Sequence, residues 1–389
     1  MGLVRVFALL PALLLSACGG EPVSQAEHET SAPTAHDVVS LGVTARDDVV
    51  HAVWVEQRSD DRVRAMHSQS SDGGRSWRGP VAIDTGQAPP DRVHRSNDIR
   101  IAVHDDRIRV IWQTRGDGFA DSGPMVLAAS DDGGRSWAAA PAPATIEDSP
   151  AHGFFALHAD SEGSFHLAWL DMRDGRQGLR YARQDGSDNW GPTHTLDAAT
   201  CECCWNTLIT AGDEVRLLYR ALDPRDMAMS ASSDGGRSWQ KRGAVGGFDW
   251  RVDACPHVGG DLAVRSVGMP QLHAVVWTGH EDHEGIYALH TPLEDGAAWS
   301  GPRRLGDRGA GNPALTGTHD NKLLAAWDDG GEIHLARHVD DQWRESVLAG
   351  SGAAASHPLL TATSHGQQVF WTERGEDGQR LWRMALLND

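Results

Sequence analysis

The sequence predicts an all-β fold, a β-propeller whose blades each hold four short strands. Three observations lead there: an apolar strand ending on an aromatic recurs seven times, a glycine-rich octapeptide recurs three times almost unchanged, and no linker or composition break divides the chain. The strands end on Trp54, Trp112, Trp169, Tyr219, Trp277, Trp327 and Trp371, spaced 44 to 58 residues apart, which is the length four short strands and their turns require. Seven blades are therefore expected, or six if the last copy merges with the first. Calling the strands of each blade A to D from the central channel outward, the last copy stops soon after its third strand, at 381–386. The segment just before Val38 is expected to supply the missing outer strand and close the ring. A chain of 389 residues exceeds what one ordinary core holds, and a ring of repeats answers this without a domain boundary.

The octapeptides are Ser70-Ser71-Asp72-Gly73-Gly74-Arg75-Ser76-Trp77, Ser130-Asp131-Asp132-Gly133-Gly134-Arg135-Ser136-Trp137 and Ser232-Ser233-Asp234-Gly235-Gly236-Arg237-Ser238-Trp239. An aspartate followed by two glycines closes a tight turn, since the carboxylate accepts backbone N–H bonds while glycine takes positive φ. Two decayed copies keep the tryptophan and an acid five residues earlier, Asp185 with Trp190 and Glu294 with Trp299. The pattern Ser-x-Asp-x-Gly-x-x-Trp resembles the Asp-box of the sialidase superfamily. That resemblance implies a propeller in which the boxes are structural and lie on the face opposite the active site. It also implies six blades, from which a seventh copy departs.

At the N-terminus one early charge, Arg5, precedes an apolar run that closes on Leu15-Ser16-Ala17-Cys18. Residues 1–17 read as a cleavable secretion signal. The ending resembles the bacterial lipobox, which implies lipidation of Cys18 and anchorage in the cell envelope at the outer membrane, facing the periplasm. Residues 18–36 are expected to form a flexible lipidated tether and 37–389 the propeller. With 35 basic and 54 acidic side chains the net charge is -19, which excludes a nucleic-acid partner. A monomer is expected.

In a propeller the B–C and D–A connections share one rim, and the A–B and C–D connections, with the octapeptides, share the other. Ligand chemistry is expected on the first. The B–C loops there are acid-rich, and the segments leading into strand A carry His94, Arg95, His152, Arg251 and His357 as candidate ligand-binding residues. The same lead-ins hold Cys201, Cys203, Cys204, Cys255 and His257. Four mature cysteines in an exported protein suit disulfides, among them one from Cys255 to the 201–204 loop. Crowded thiols backed by a histidine also suit a soft metal, Cu or Zn, and redox chemistry is a third reading.

The sialidase resemblance would imply an arginine triad, a Tyr–Glu nucleophile pair and an aspartate acid/base. The stretch Arg95 to Ile101 lacks the proline of the family's first motif, and Tyr181, Tyr219 and Tyr287, the chain's three tyrosines, all fall in expected strands. No catalytic residue is assigned. The reading is a propeller that binds a glycan, protein or soft metal at the rim opposite the octapeptides, with a divergent exo-glycosidase using two rim carboxylates as the alternative.

Overall fold

The computed structural model describes residues 23–388, apart from 32, 35, 60–61, 92–94, 187–188, 267, 294–297, 319, 321, 349 and 353. Seven antiparallel sheets form a ring, and the expectation of seven blades holds against six. Innermost strands A are Asp37–Arg46, Arg100–His104, His152–Ala159, Thr207–Ala211, Gly260–Arg265, Gly311–Gly317 and Ser356–Thr363. Each B strand pairs with its own A and C strands.

The repeated strand is legible because both of its faces are buried. Side chains alternate across a strand, so in blade 1 Val50, Ala52 and Trp54 join one cluster with Phe370, Trp382 and Met384 of blade 7. Val53 and Val55 turn the other way and pack on Ile99, Ile101 and Val110 of blade 2. Seven such clusters straddle the seven blade interfaces. Several of the terminal tryptophans add a polar clamp: the indole N–H of Trp112 donates to the Ala88 carbonyl (3.0 Å) and that of Trp371 to Glu373 (2.9 Å).

The ring closes as expected. His28–Ser31 pairs antiparallel with the last strand, Arg380–Leu387, with His28 opposite Leu386, and so becomes the outer strand of blade 7. Val23–Ser24 adds a parallel pairing outside blade 6, against Val347 and Leu348. Part of the stretch expected to be a slack tether is therefore strand. The cause is the unpaired N–H and C=O groups of the two outer edges, which this segment satisfies. The signal segment and Cys18 lie outside the described residues.

The octapeptides build one turn three times, between strands C and D. The Ser70 hydroxyl donates to Asp72 (2.6 Å) and accepts the Gly74 N–H (2.8 Å), while Asp72 accepts the Ser76 N–H (2.8 Å). The same contacts recur at Ser130/Asp132/Ser136 and Ser232/Asp234/Ser238. Desolvation opposes the charge on Asp72, yet the bonds from Ser70 and Ser76 hold its carboxyl down at about 2.

These turns also reach across to the preceding blade. The second glycine of each has positive φ and lies where a Cβ would strike Met384 of blade 7, His67 of blade 1 or Tyr181 of blade 3, for Gly74, Gly134 and Gly236 respectively. Trp77, Trp137 and Trp239 lie edge-on against Trp382, His67 and Tyr181 of those same blades. Each octapeptide thus fastens its blade to the one before it.

Candidate functional site

Strand A begins on the rim opposite the octapeptides, and its first residues face the axis. In blades 3, 6 and 7 the A–B ladder is interrupted there, between Gly153 and Ala156, Gly311 and Ala314, and Ser356 and Leu359. A left-handed residue occupies each interruption: Phe154 (φ 56°), Asn312 (φ 50°) and His357 (φ 57°). This conformation costs roughly 1–2 kcal/mol at a non-glycine residue, so neighbouring groups must hold it. Asn97 accepts the Phe154 N–H at 2.5 Å, and Asp328 accepts both the His357 N–H (2.6 Å) and the Asn312 side-chain amide (2.9 Å). Burial raises the Asp328 carboxyl above its ordinary range.

These lead-ins enclose an axial cavity of about 190 Å³ to which all seven blades contribute, among them Gly42, Arg95, Leu157, Asn206, Asp261, Asn312 and His357. Arg95 and Arg100 line it together with Asp98 and Asp261. The Arg95 Nε donates to Asp98 (3.0 Å) and its Nη1 to the Thr372 hydroxyl (2.6 Å), while Nη2 is buried with no hydrogen-bond partner among the described residues. The side chain is only 9 % exposed. Arg100, whose Nε donates to the Phe155 carbonyl (3.1 Å), lines the cavity too, and burial lowers its pKa. Burial likewise pushes the Asp261 carboxyl up to about 6, against the N–H groups of Leu315 and Leu262 that it accepts.

The remaining candidates disperse. His152 is 0 % exposed, its Nδ1 set against the Met125 N–H, and burial lowers its pKa, so it belongs to the interface of blades 2 and 3 and not to an open rim. Arg251 is exposed and paired with Asp223 and Asp249, both at 2.8 Å, outside the cavity lining. His94 lies outside the described residues. Asn206 and Asp261 carry no sequence signal: the first follows the cysteine run as an ordinary polar residue, and the second sits inside strand Gly260–Arg265.

Beside the cavity, on the lead-in to blade 4, three thiols converge. The Cys201 sulfur lies 3.3 Å from that of Cys204 and 3.8 Å from that of Cys203, and all three are buried against Phe154. The five-residue group expected from the sequence is not assembled. Cys255 is exposed and directs its thiol toward Glu202 (3.9 Å), and neither it nor His257 joins the three-sulfur group. Arg225 Nη1 donates to the Cys201 sulfur at 3.2 Å. Hydrogen bonds from Cys203 and Cys204 pull the Cys201 thiol well below its ordinary range, while burial pushes Cys204 up to about 12.

No protein-family model matches the sequence, and no curated protein is significantly similar to it. Solved structures are. Polysaccharide lyase Uly1 superposes with a TM-score of 0.58 at 12 % identity, over 94 % of this chain and 100 % of that one. A Dyadobacter fermentans protein of unknown function gives 0.55 at 12 % identity, over 95 % and 98 %. Trypanosoma rangeli sialidase, solved with 2,3-difluorosialic acid as a covalent intermediate, gives 0.50 at 13 % identity, over 90 % of this chain but 54 % of that one. The chain spans about half the length of that sialidase. Together these define the class: a β-propeller of sialidase-like fold, here with seven blades.

Proposed function

We propose that the protein is an envelope-anchored binding propeller that takes a small acidic ligand, a sugar acid or comparable carboxylate, at the axial cavity. The observation that carries this reading is the buried, unpartnered Nη2 of Arg95, since a guanidinium N–H removed from water calls for an anionic oxygen. At about 190 Å³ the cavity is smaller than the roughly 300 Å³ at which drug-sized pockets begin, which favours a single sugar ring over a longer segment. Binding is favoured over hydrolysis. Tyr181, Tyr219 and Tyr287 are buried in blade interfaces, and both oxygens of Asp261 already accept backbone N–H groups. The lipobox-like Leu15-Ser16-Ala17-Cys18 supports anchorage through Cys18.

Calorimetric titration with N-acetylneuraminate, glucuronate and glucose tests the ligand class. The two acids are expected to bind and glucose is not. Arg95→Met is expected to weaken the acids about 10- to 100-fold, the worth of one hydrogen bond to a charged group. Equal binding of glucose, or no loss in a folded Arg95→Met protein, would overturn the reading.

A further inference from the structure

The three thiols beside the cavity are not used by that reading. Their sulfurs all lie within 4.8 Å of one another, and the residues are 1 %, 5 % and 1 % exposed for Cys201, Cys203 and Cys204. A metal bound to sulfur at about 2.3 Å holds three such ligands about 3.8–4.0 Å apart. The observed 3.8 Å between Cys201 and Cys203 meets that spacing, and the 3.3 Å between Cys201 and Cys204 needs a small opening.

The surroundings are cationic. Arg225 touches Cys201 and is fixed by the Val252 carbonyl (2.8 Å). Arg220 is held by the carbonyls of Val258, Arg225 and Trp277 and lies over the rings of Trp250 and Trp277. Its own carbonyl accepts the Cys201 N–H at 3.0 Å. The Arg225 guanidinium thus touches the thiol group directly, and Arg220 is tied to it through its backbone.

We propose that Cys201, Cys203 and Cys204 bind one Cu(I) ion in a three-coordinate, all-sulfur site. Soft thiolates select a soft ion. Structural zinc sites demand four ligands, and among the described residues no fourth His, Cys, Asp or Glu joins the group. One Cu(I) with three thiolates leaves a double negative charge, part of which Arg225 offsets where it touches Cys201. Binding forms three Cu–S bonds, releases to solvent whatever protons the three sulfurs still hold, and moves no electron. The reading is independent of the carboxylate proposal.

The test uses the full chain carrying Cys18→Ala, reduced and kept anaerobic, titrated with Cu(I) against a colorimetric Cu(I) chelator. One copper per chain is expected, and X-ray absorption should show a single shell of three sulfurs. Cys203→Ser and Cys204→Ser should each weaken Cu(I) by at least about 100-fold, the upper end of what even an outer-shell change costs a metal site. Cys255→Ser and His257→Gln should change neither stoichiometry nor affinity. Failure of the parent protein to retain copper, a shell containing nitrogen or a fourth sulfur, or loss of copper in Cys255→Ser would overturn the site. The first two readouts need no variant, so misfolding of a serine mutant leaves the proposal falsifiable.

Discussion

Substituting Gly236 by alanine tests the fastening of blade to blade. The new Cβ would stand 1.9 Å from the Tyr181 hydroxyl and 2.7 Å from its Cζ, at a φ of 86°. Left-handed backbone costs alanine roughly 1–2 kcal/mol. Tyr181 is fully buried and cannot swing away without losing its 2.7 Å bond to His166, about 1 kcal/mol, and overpacking adds roughly 1–3 kcal/mol. The sum is about 3–6 kcal/mol. A cooperative unit of about 350 residues unfolds with an entropy near 0.7 kcal/mol/K, so Tm should fall by about 4–8 °C in calorimetry. Gly235→Ala is the control, because a Cβ there meets the far ends of flexible side chains, the guanidinium nitrogens of Arg183 and Arg237 at 3.2 Å and Asp213 Oδ1 at 3.6 Å. It should cost about 1–2 kcal/mol, from backbone alone. Tyr181→Phe should relieve part of the Gly236→Ala defect. Equal losses at Gly235 and Gly236 would refute the idea that the octapeptides join adjacent blades.

His51 and His67 form a buried pair at 3.0 Å, and burial first, then neighbouring positive charge, lowers them to about 3 and about 4. Both are neutral in the fold, whereas unfolded imidazoles protonate near 6.5. Stability is thus complete above pH 6.5 and is lost as pH falls toward 4, by about 3 kcal/mol for His67 alone. His67→Phe should flatten the Tm profile between pH 6.5 and 4.5, and an unchanged profile would exclude His67 as its source. Asp171→Asn removes the partner of Arg180, both side chains being 0 % exposed, and should cost about 3–5 kcal/mol in urea unfolding. Asp148→Asn, which removes a partly exposed partner of Arg173, should cost under about 1 kcal/mol, and similar losses from the two would count against the buried network.

The blades were legible in the sequence because strand B is buried on both faces, so its residues form short apolar runs that a surface strand would not contain. The octapeptides were legible as turns but not as clamps, since nothing in Gly134 announces His67 of another blade. The axial site was only partly legible. Arg95 and His357 stand in the lead-ins where polar side chains are conspicuous, and the cavity includes both. Asp261 is hidden inside a strand whose pattern says core, and its carboxylate is held by backbone N–H groups of its own strand and of the next blade. His152 misled because a histidine next to a loop looks exposed, while the ladder interruption after Gly153 turns it inward. For the cysteines, composition showed crowding, but only the fold separates Cys255 from the other three and brings Arg225 to Cys201.

Ring closure has a consequence for how the protein folds. The outer strand of blade 7 and its partner are separated by some 350 residues of chain, so closing the ring is a long-range step. Six blades can stack as an open arc, but the seventh is complete only when its two distant segments meet. Until then the arc leaves bare at its two ends the apolar faces that the closed ring buries against blade 7, and such faces invite association with another chain. The clasp of His28–Ser31 on Arg380–Leu387 is therefore also the step that hides those faces and completes the ring.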